Sequence, residues 1–165
     1  MKPTFYEHGG HGPGRSTRNK KILSILNDLI RINIDRITGY EKVSHEEVTE
    51  DTELRELFYH LATESRAAVN NLHAEVIKLD GAPVTQSTIT GKIYLCWLDG
   101  RNTFEGADAA LRLNACAAAE LAIQKAYQQA LDQEERLPDK LHDMVETQLW
   151  SLERAYDKLA SLIHA

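Results

Sequence analysis

Leu26, Leu29, Ile30, Asn33, Ile37, Tyr40 and Val43 recur at steps of three and four residues through "ILSILNDLIRINIDRITGYEKV". That spacing collects them on one face of a helix, with Asn33 as a polar interruption. A second segment carries Leu54, Leu57, Phe58, Leu61, Ser65, Ala68, Leu72 and Val76 in the same rhythm. Asp51 ahead of it suits an N-cap, and Glu50 and Glu53 put negative charge at the positive end of the helix. The segment ends at "LDGAP", where Gly81 suits a left-handed turn and Pro83 bars continuation. A third helix, opened by Gly106 and Asp108 and running to about Glu135, aligns Leu113, Cys116, Ala117, Glu120, Ile123, Tyr127 and Leu131. The fourth begins at Pro138, a good first helical residue, and its stripe is Leu141, Val145, Gln148, Leu152, Tyr156, Leu159 and Ile163.

The first and second helices, and the third and fourth, are joined by short connections, which make antiparallel neighbours. The connection from second to third is long and has to carry the chain back along the bundle. The predicted fold is therefore all-α, a ferritin-like four-helix bundle with one long crossover. Within the crossover, "GKIYLCWLDG" pairs Ile93 with Trp97 and Tyr94 with Leu98 at i, i+4, which predicts a short extra helix. The bundle occupies residues 18–165, and the glycine-rich stretch 1–17, with Pro3 and Pro13, reads as a flexible tail. A weak internal repeat agrees with two similar hairpins. The register that places Tyr40 on Tyr127 places Leu26 on Leu113, Ile30 on Ala117 and Asn33 on Glu120.

Composition narrows the classes. The 165 residues are 42% hydrophobic and 27% charged, as in an ordinary globular domain. A formal charge of -6 argues against nucleic acid as a partner, because phosphate contact needs a basic face. No apolar run approaches the ~20 residues of a membrane span, and the N-terminus lacks a signal-peptide centre, so cytoplasmic residence is expected. Cys96 and Cys116 are too few for a disulfide framework or a zinc site. His8 and His11 lie on glycine-rich chain without a rigid scaffold to make them a metal site.

Glu120 is the informative residue, the only acid between Asp108 and Asp132, and it sits in the apolar stripe of its helix. A lone charge buried there costs several kcal/mol unless it is paired or protonated. Di-iron and di-manganese bundles place one Glu on each of two helices and Glu-x-x-His on each of the other two. Here Asn33 stands at the height of Glu120, Glu64 is followed three residues later by Ala67, and Glu146 by Leu149. Both histidine ligands of that pattern are missing, so no dinuclear metal centre and no cofactor are expected. Glu56, His60 and Glu64, spaced i, i+4, i+8, are a weaker candidate for a single divalent cation and equally suit a solvated charged flank. The simplest partner for Glu120 is an arginine, and Arg66 is placed to turn inward along the edge of the second helix. The expected arrangement is a structural buried polar layer of Asn33, Arg66, Glu120 and Gln148.

The segments "ILNDLIRINIDRITGYEKV", "ELRELF", "ESR" at Glu64–Arg66, "TGKIYLCWLD", "CAAAELAIQKAYQQAL" and "LPDKL" together resemble an uncharacterised bacterial family of ferritin-like four-helix bundles, the domain of unknown function 2383. The resemblance covers most of residues 22–141. It implies the bundle and a helix at Tyr94–Trp97, and brings no activity or substrate. The chain departs from the family pattern at Ala119, where a glycine commonly precedes the acid. The functional expectation is a non-catalytic structural or accessory protein, related to stress physiology by family analogy alone; the rival is a metal-binding ferritin-like oxidoreductase or storage protein. A homo-oligomer is a plausible assembly, with Trp97 and Trp150 as contact residues.

Overall fold

A computed structural model describes residues 13–45, 51–87 and 109–165. These form four helices: α1 Pro13–His45, α2 Thr52–Lys78, α3 Ala109–Leu131 and α4 Asp139–Ile163. At ~1.5 Å per residue, the 33 residues of α1 make a rod of about 50 Å. No strand occurs among the described residues, and the architecture is an all-α four-helix bundle. Positions 93–98, Trp97, Cys96, His8 and His11 lie outside the described residues.

Helix order follows from who meets whom. α1 packs along α2, and α3 along α4, as two hairpins. Asn33 meets Tyr127 while Tyr40 meets Glu120, so α1 and α3 run in opposite directions. α2 is antiparallel to α1 and is therefore parallel to α3. Lys140 of α4 approaches Glu75 of α2 at 3.8 Å, which puts the start of α4 beside the end of α2. Every packed pair is thus antiparallel, and the end of α2 and the start of α3 lie at opposite ends of the bundle.

The start of the crossover is clipped to α1. Asn27 donates from Nδ2 to the Ala82 carbonyl at 3.3 Å and accepts from the Val84 N–H at 3.0 Å. The His73 ring also reaches the Val84 carbonyl, 3.0 Å away. Further along α1, the Ser87 hydroxyl donates to the Asp35 carboxylate. Asp35 is buried beneath this segment. Burial pushes its carboxyl above the usual range, and the hydrogen bond from Ser87 offsets part of the rise.

The helix ends have local causes. The Asp51 side chain caps α2 by accepting from the N–H groups of Glu53 and Leu54 at 3.0 and 3.3 Å. At the other end Asp80, not Gly81, takes the left-handed conformation, with φ 56°. The Asp80 N–H reaches the Ile77 carbonyl and the Gly81 N–H reaches that of Val76, each at 3.0 Å, closing a Schellman motif. Gly81 is needed for space instead: a Cβ there would collide with Leu23 and press on Val76. Two other boundaries differ from expectation. Residues 13–17, expected in the tail, are helical, because Pro13 can open a helix whose first N–H groups have no partner anyway. α3 stops at Leu131 rather than near Glu135, since residues 132–136 are all exposed and have no apolar face to bury. Leu137 then folds back into the core.

The core is one continuous cluster drawn from all four helices. It includes Leu26, Ile30, Phe58, Leu72, Ile123, Val145 and Leu159, all fully buried. Gly81→Ala is expected to cost about 1–3 kcal/mol through overpacking against Leu23. Asp80→Gly should change stability by less than about 0.5 kcal/mol, since glycine relieves the left-handed strain but gains unfolded-state freedom. Denaturant midpoints of the two variants test this assignment of roles.

Candidate functional site

Halfway along the bundle the apolar core gives way to a layer of polar side chains. Glu120 on α3 is 0% exposed and Arg36 on α1 is 1% exposed. Arg36 Nε donates to Glu120 Oε1 at 2.8 Å. The same oxygen accepts from the Tyr40 hydroxyl, one helical turn further along α1. Arg36 Nη1 donates to the Leu61 carbonyl at 3.0 Å and to the Ser65 hydroxyl at 2.9 Å, both on α2. Its Nη2 lies 3.8 Å from Glu64 Oε2, too far for a hydrogen bond. The guanidinium is thus gripped by three helices. It also stands 5.2 Å from the centre of the Tyr40 ring, which stacks on Phe58.

The electrostatics follow from this packing. Burial opposes the charge on Arg36, but Glu120, helped by Tyr40 and Glu64, outweighs it and holds the guanidinium above its usual range. Burial first, then the negative charge of Glu120, pushes the Tyr40 phenol well up, so it keeps its proton and donates. Burial likewise raises the Cys116 thiol, and Glu120 adds to the effect. Cys116 therefore remains a thiol and a poor nucleophile.

About two turns away the same motif recurs with its parts exchanged. Asn33 Nδ2 donates to the Leu29 carbonyl at 2.8 Å and to the Tyr127 hydroxyl at 2.6 Å. Tyr127 OH then lies 2.9 Å from Gln148 Oε1 on α4. The direction of this chain is forced. A backbone carbonyl can only accept, so the Asn33 atom near it is the amide nitrogen, and Tyr127 must receive its second proton. The Tyr127 proton then goes to Gln148, whose oxygen faces it and whose Nε2 points away. Burial pushes the Tyr127 phenol up to about 12, which keeps it a donor. The sequence register that superposes Tyr40 on Tyr127 also superposes Asn33 on Glu120. The contacts Tyr40–Glu120 and Tyr127–Asn33 are thus exchanged copies across α1 and α3.

Of the residues expected in this layer, Asn33 and Glu120 are buried and Gln148 is half-buried; Asn33 and Gln148 are linked through Tyr127, whereas Glu120 belongs to the separate network with Arg36 and Tyr40. Arg66 is not in it. It points outward and pairs with Glu41, each about two-fifths exposed. The reason is helical phase: Ser65 faces inward, and its neighbour Arg66 is turned about 100° from it. Arg36 takes the place expected of Arg66. It falls three residues after Asn33 and four before Tyr40, the spacing of one face, whereas Ile37 is only partly buried.

The weaker metal candidates do not converge. His60 Nε2 is 3.3 Å from Glu64 Oε1, but Glu56 is exposed and lines a separate groove with Glu41, Arg55 and Tyr59. Among the described residues, three potential ligands come together only at His142, Asp143 and Glu146, on a single helix and away from the polar layer. The bundle centre does not fit a pair of metal ions. Asn33 offers an amide where a carboxylate would be needed, and the Arg36 guanidinium fills the space against Glu120.

The family described as a domain of unknown function (DUF2383) matches residues 21–133, and the chain belongs to it. The matched span includes α2, α3, α1 from residue 21 onward and the crossover, hence Asn33, Arg36, Tyr40, Ser65 and Glu120; Gln148 on α4 lies beyond it. No curated protein matches the chain.

Glu120→Leu and Arg36→Met should each cost about 3–5 kcal/mol, because each strands a buried charge. The double variant should cost well below the sum of the two. Arg66→Met should stay within about 0.5 kcal/mol of the parent, as for an ordinary surface change. Urea unfolding of the five proteins measures all of these.

Proposed function

We propose that this chain is a non-catalytic structural or accessory helical bundle. The observation that carries the reading is the hold of Arg36 and Tyr40 on Glu120. A carboxylate that works as a ligand or general base needs a face open to metal or substrate. Here one oxygen of Glu120 accepts from both partners and the side chain has no exposure. Cys116 beside it is buried and protonated, so the neighbourhood offers no ready nucleophile. The polar layer instead suits a role in fixing register: its bonds between Arg36 or Tyr40 and Glu120, between Arg36 and Leu61 or Ser65, and from Asn33 through Tyr127 to Gln148 each join two helices and are lost when either slides.

The ferritin-like description is supported by the antiparallel packing and the long crossover. A connection to stress physiology rests on family resemblance alone. Cytoplasmic residence is supported by composition and by the lack, among the described residues, of a helix long and apolar enough to cross a membrane. The charge of -6 disfavours nucleic acid as a partner. Self-association through an outer face is supported by Trp150, which is 64% exposed, with Tyr59, Ile77 and Leu121 as other exposed apolar groups.

The test is anaerobic loading with ferrous iron followed by air, on full-length protein with His8 and His11 changed to alanine. Fewer than two tightly held irons per chain and no acceleration of iron oxidation are expected. Two tightly bound irons per chain with rapid oxidation would overturn this reading in favour of a ferritin-like oxidase.

A further inference from the structure

α1 is longer than the bundle it belongs to. The packed core begins at Ile22. Lys21 already stands level with the turn between α3 and α4, where its Nζ lies 3.4 Å from Glu135 Oε1. Leu23 lies against Gly81, in the turn that ends α2. Both neighbours of α1 have therefore ended by residue 21, and residues 13–20 extend past them by about 12 Å, at ~1.5 Å per residue. Ser16, Thr17, Arg18 and Lys20 on this overhang are exposed. Pro13 is its one apolar side chain. With Lys21 it collects four positive charges, Arg15, Arg18, Lys20 and Lys21, and no acid stands between Glu7 and Asp28.

The opposite charge lies on α4. Asp139, Asp143 and Glu146 precede Trp150 by 11, 7 and 4 residues, and Asp157 follows it by 7, so all five share one stripe of the helix. The four acids are exposed, and Trp150 is 64% exposed. Arg136 stands 3.7 Å from Asp139 and His142 4.0 Å from Asp143; among the described residues no ion pair reaches Glu146 or Asp157. Arg154 flanks the stripe. An indole set among carboxylates attracts a cation twice, through its ring face and through the acids around it.

Topology decides which molecule brings the cation. α1 packs on α2 and α3, and α4 packs on the same two helices, so α1 and α4 occupy diagonal corners of the bundle. An overhang on one corner cannot reach the outer stripe of the opposite corner in its own chain. It can reach that stripe on a second copy. A phosphate polymer or an anionic membrane would also attract the overhang, but a chain of charge -6 repels extended polyanions everywhere else. We propose that the basic overhang of α1 docks on the acidic stripe around Trp150 of a second copy of this chain. The proposal rests on the self-association reading above and specifies its two surfaces. Because they lie on opposite corners, each contact leaves one overhang and one stripe unoccupied. Assembly is therefore head-to-tail, growing into a ring or a chain rather than stopping at a two-fold dimer.

Sedimentation of the full chain over a range of concentrations tests this. The parent should self-associate in about 20 mM salt and weaken at least about tenfold by about 500 mM, as screening of surface charges requires. Arg18→Gln with Lys20→Gln discharges the overhang, and Glu146→Gln with Trp150→Ala disables the stripe. Each pair should weaken association at least about tenfold, the combined worth of several surface contacts. Both pairs change only exposed side chains, and circular dichroism should show the parent's helix content. Mixed together, the two variants should form a 1:1 complex that does not grow, since each keeps one working surface. If Trp150→Ala abolishes association while the Arg18/Lys20 variant associates like the parent, the docking is overturned and self-association through Trp150 stands. A parent that stays monomeric in low salt overturns both. The docking is also overturned if association is indifferent to salt, or if the mixed variants form no complex. It is overturned too if the Arg18/Lys20 variant loses binding to phosphatidylglycerol vesicles but associates unchanged.

Discussion

A carboxylate with no exposure to solvent, set among alanines in the middle of a helical bundle, constrains everything around it. Leaving Glu120 buried without a partner would cost about 3–5 kcal/mol, a large share of the ~5–15 kcal/mol by which a domain is stable. Arg36 and Tyr40 offset that cost from one helix, and Arg36 in turn needs acceptors on another. Its Nη1 finds them at Leu61 and Ser65 of α2. The pair therefore fixes three helices at one height. Apolar stripes alone tolerate a slip of one turn far better, because one leucine can replace another.

The exchanged contacts across α1 and α3 give this layer a simple geometry. Tyr40 reaches Glu120 and Tyr127 reaches Asn33, as an approximate two-fold between two similar hairpins requires. The symmetry is broken at one point. An acid on α3 corresponds to an amide on α1, and only the acid has an arginine. The half with the charge is closely packed by its guanidinium. The half with the amide lies beside a cavity between α2 and α4, which Asn33, Tyr127 and Gln148 help to line.

The helices, their antiparallel pairing and the long crossover were legible because each helix carries a periodic stripe of seven or eight residues and the connections between them differ plainly in length. So was the burial of Glu120, since it stands in phase with Cys116, Ile123 and Tyr127. Its partner was not. Arg66 was chosen for its nearness to a stripe residue, but a neighbour in sequence is rotated by about 100° on a helix. Arg36 is in phase with Asn33 and Tyr40, three residues after one and four before the other, and that spacing is the signal that identifies it. The left-handed residue was likewise misplaced by one, because glycine is the usual choice and Asp80 tolerates the conformation well enough. The cavity had no sequence signal. It arises from the separation of two helices that are distant in the chain.

Hydrogen exchange at the Arg36 side chain tests the central claim most directly. Its Nε–H is buried and bonded to Glu120, so its ¹⁵N resonance should persist in heavy water on the timescale of the core amides, and the Glu120→Gln variant should shorten that lifetime markedly. Arg66, partly exposed and paired with Glu41 at the surface, supplies the internal comparison and should exchange fast. An Arg36 Nε–H that exchanges as quickly as that of Arg66, or one indifferent to Glu120→Gln, would contradict the account.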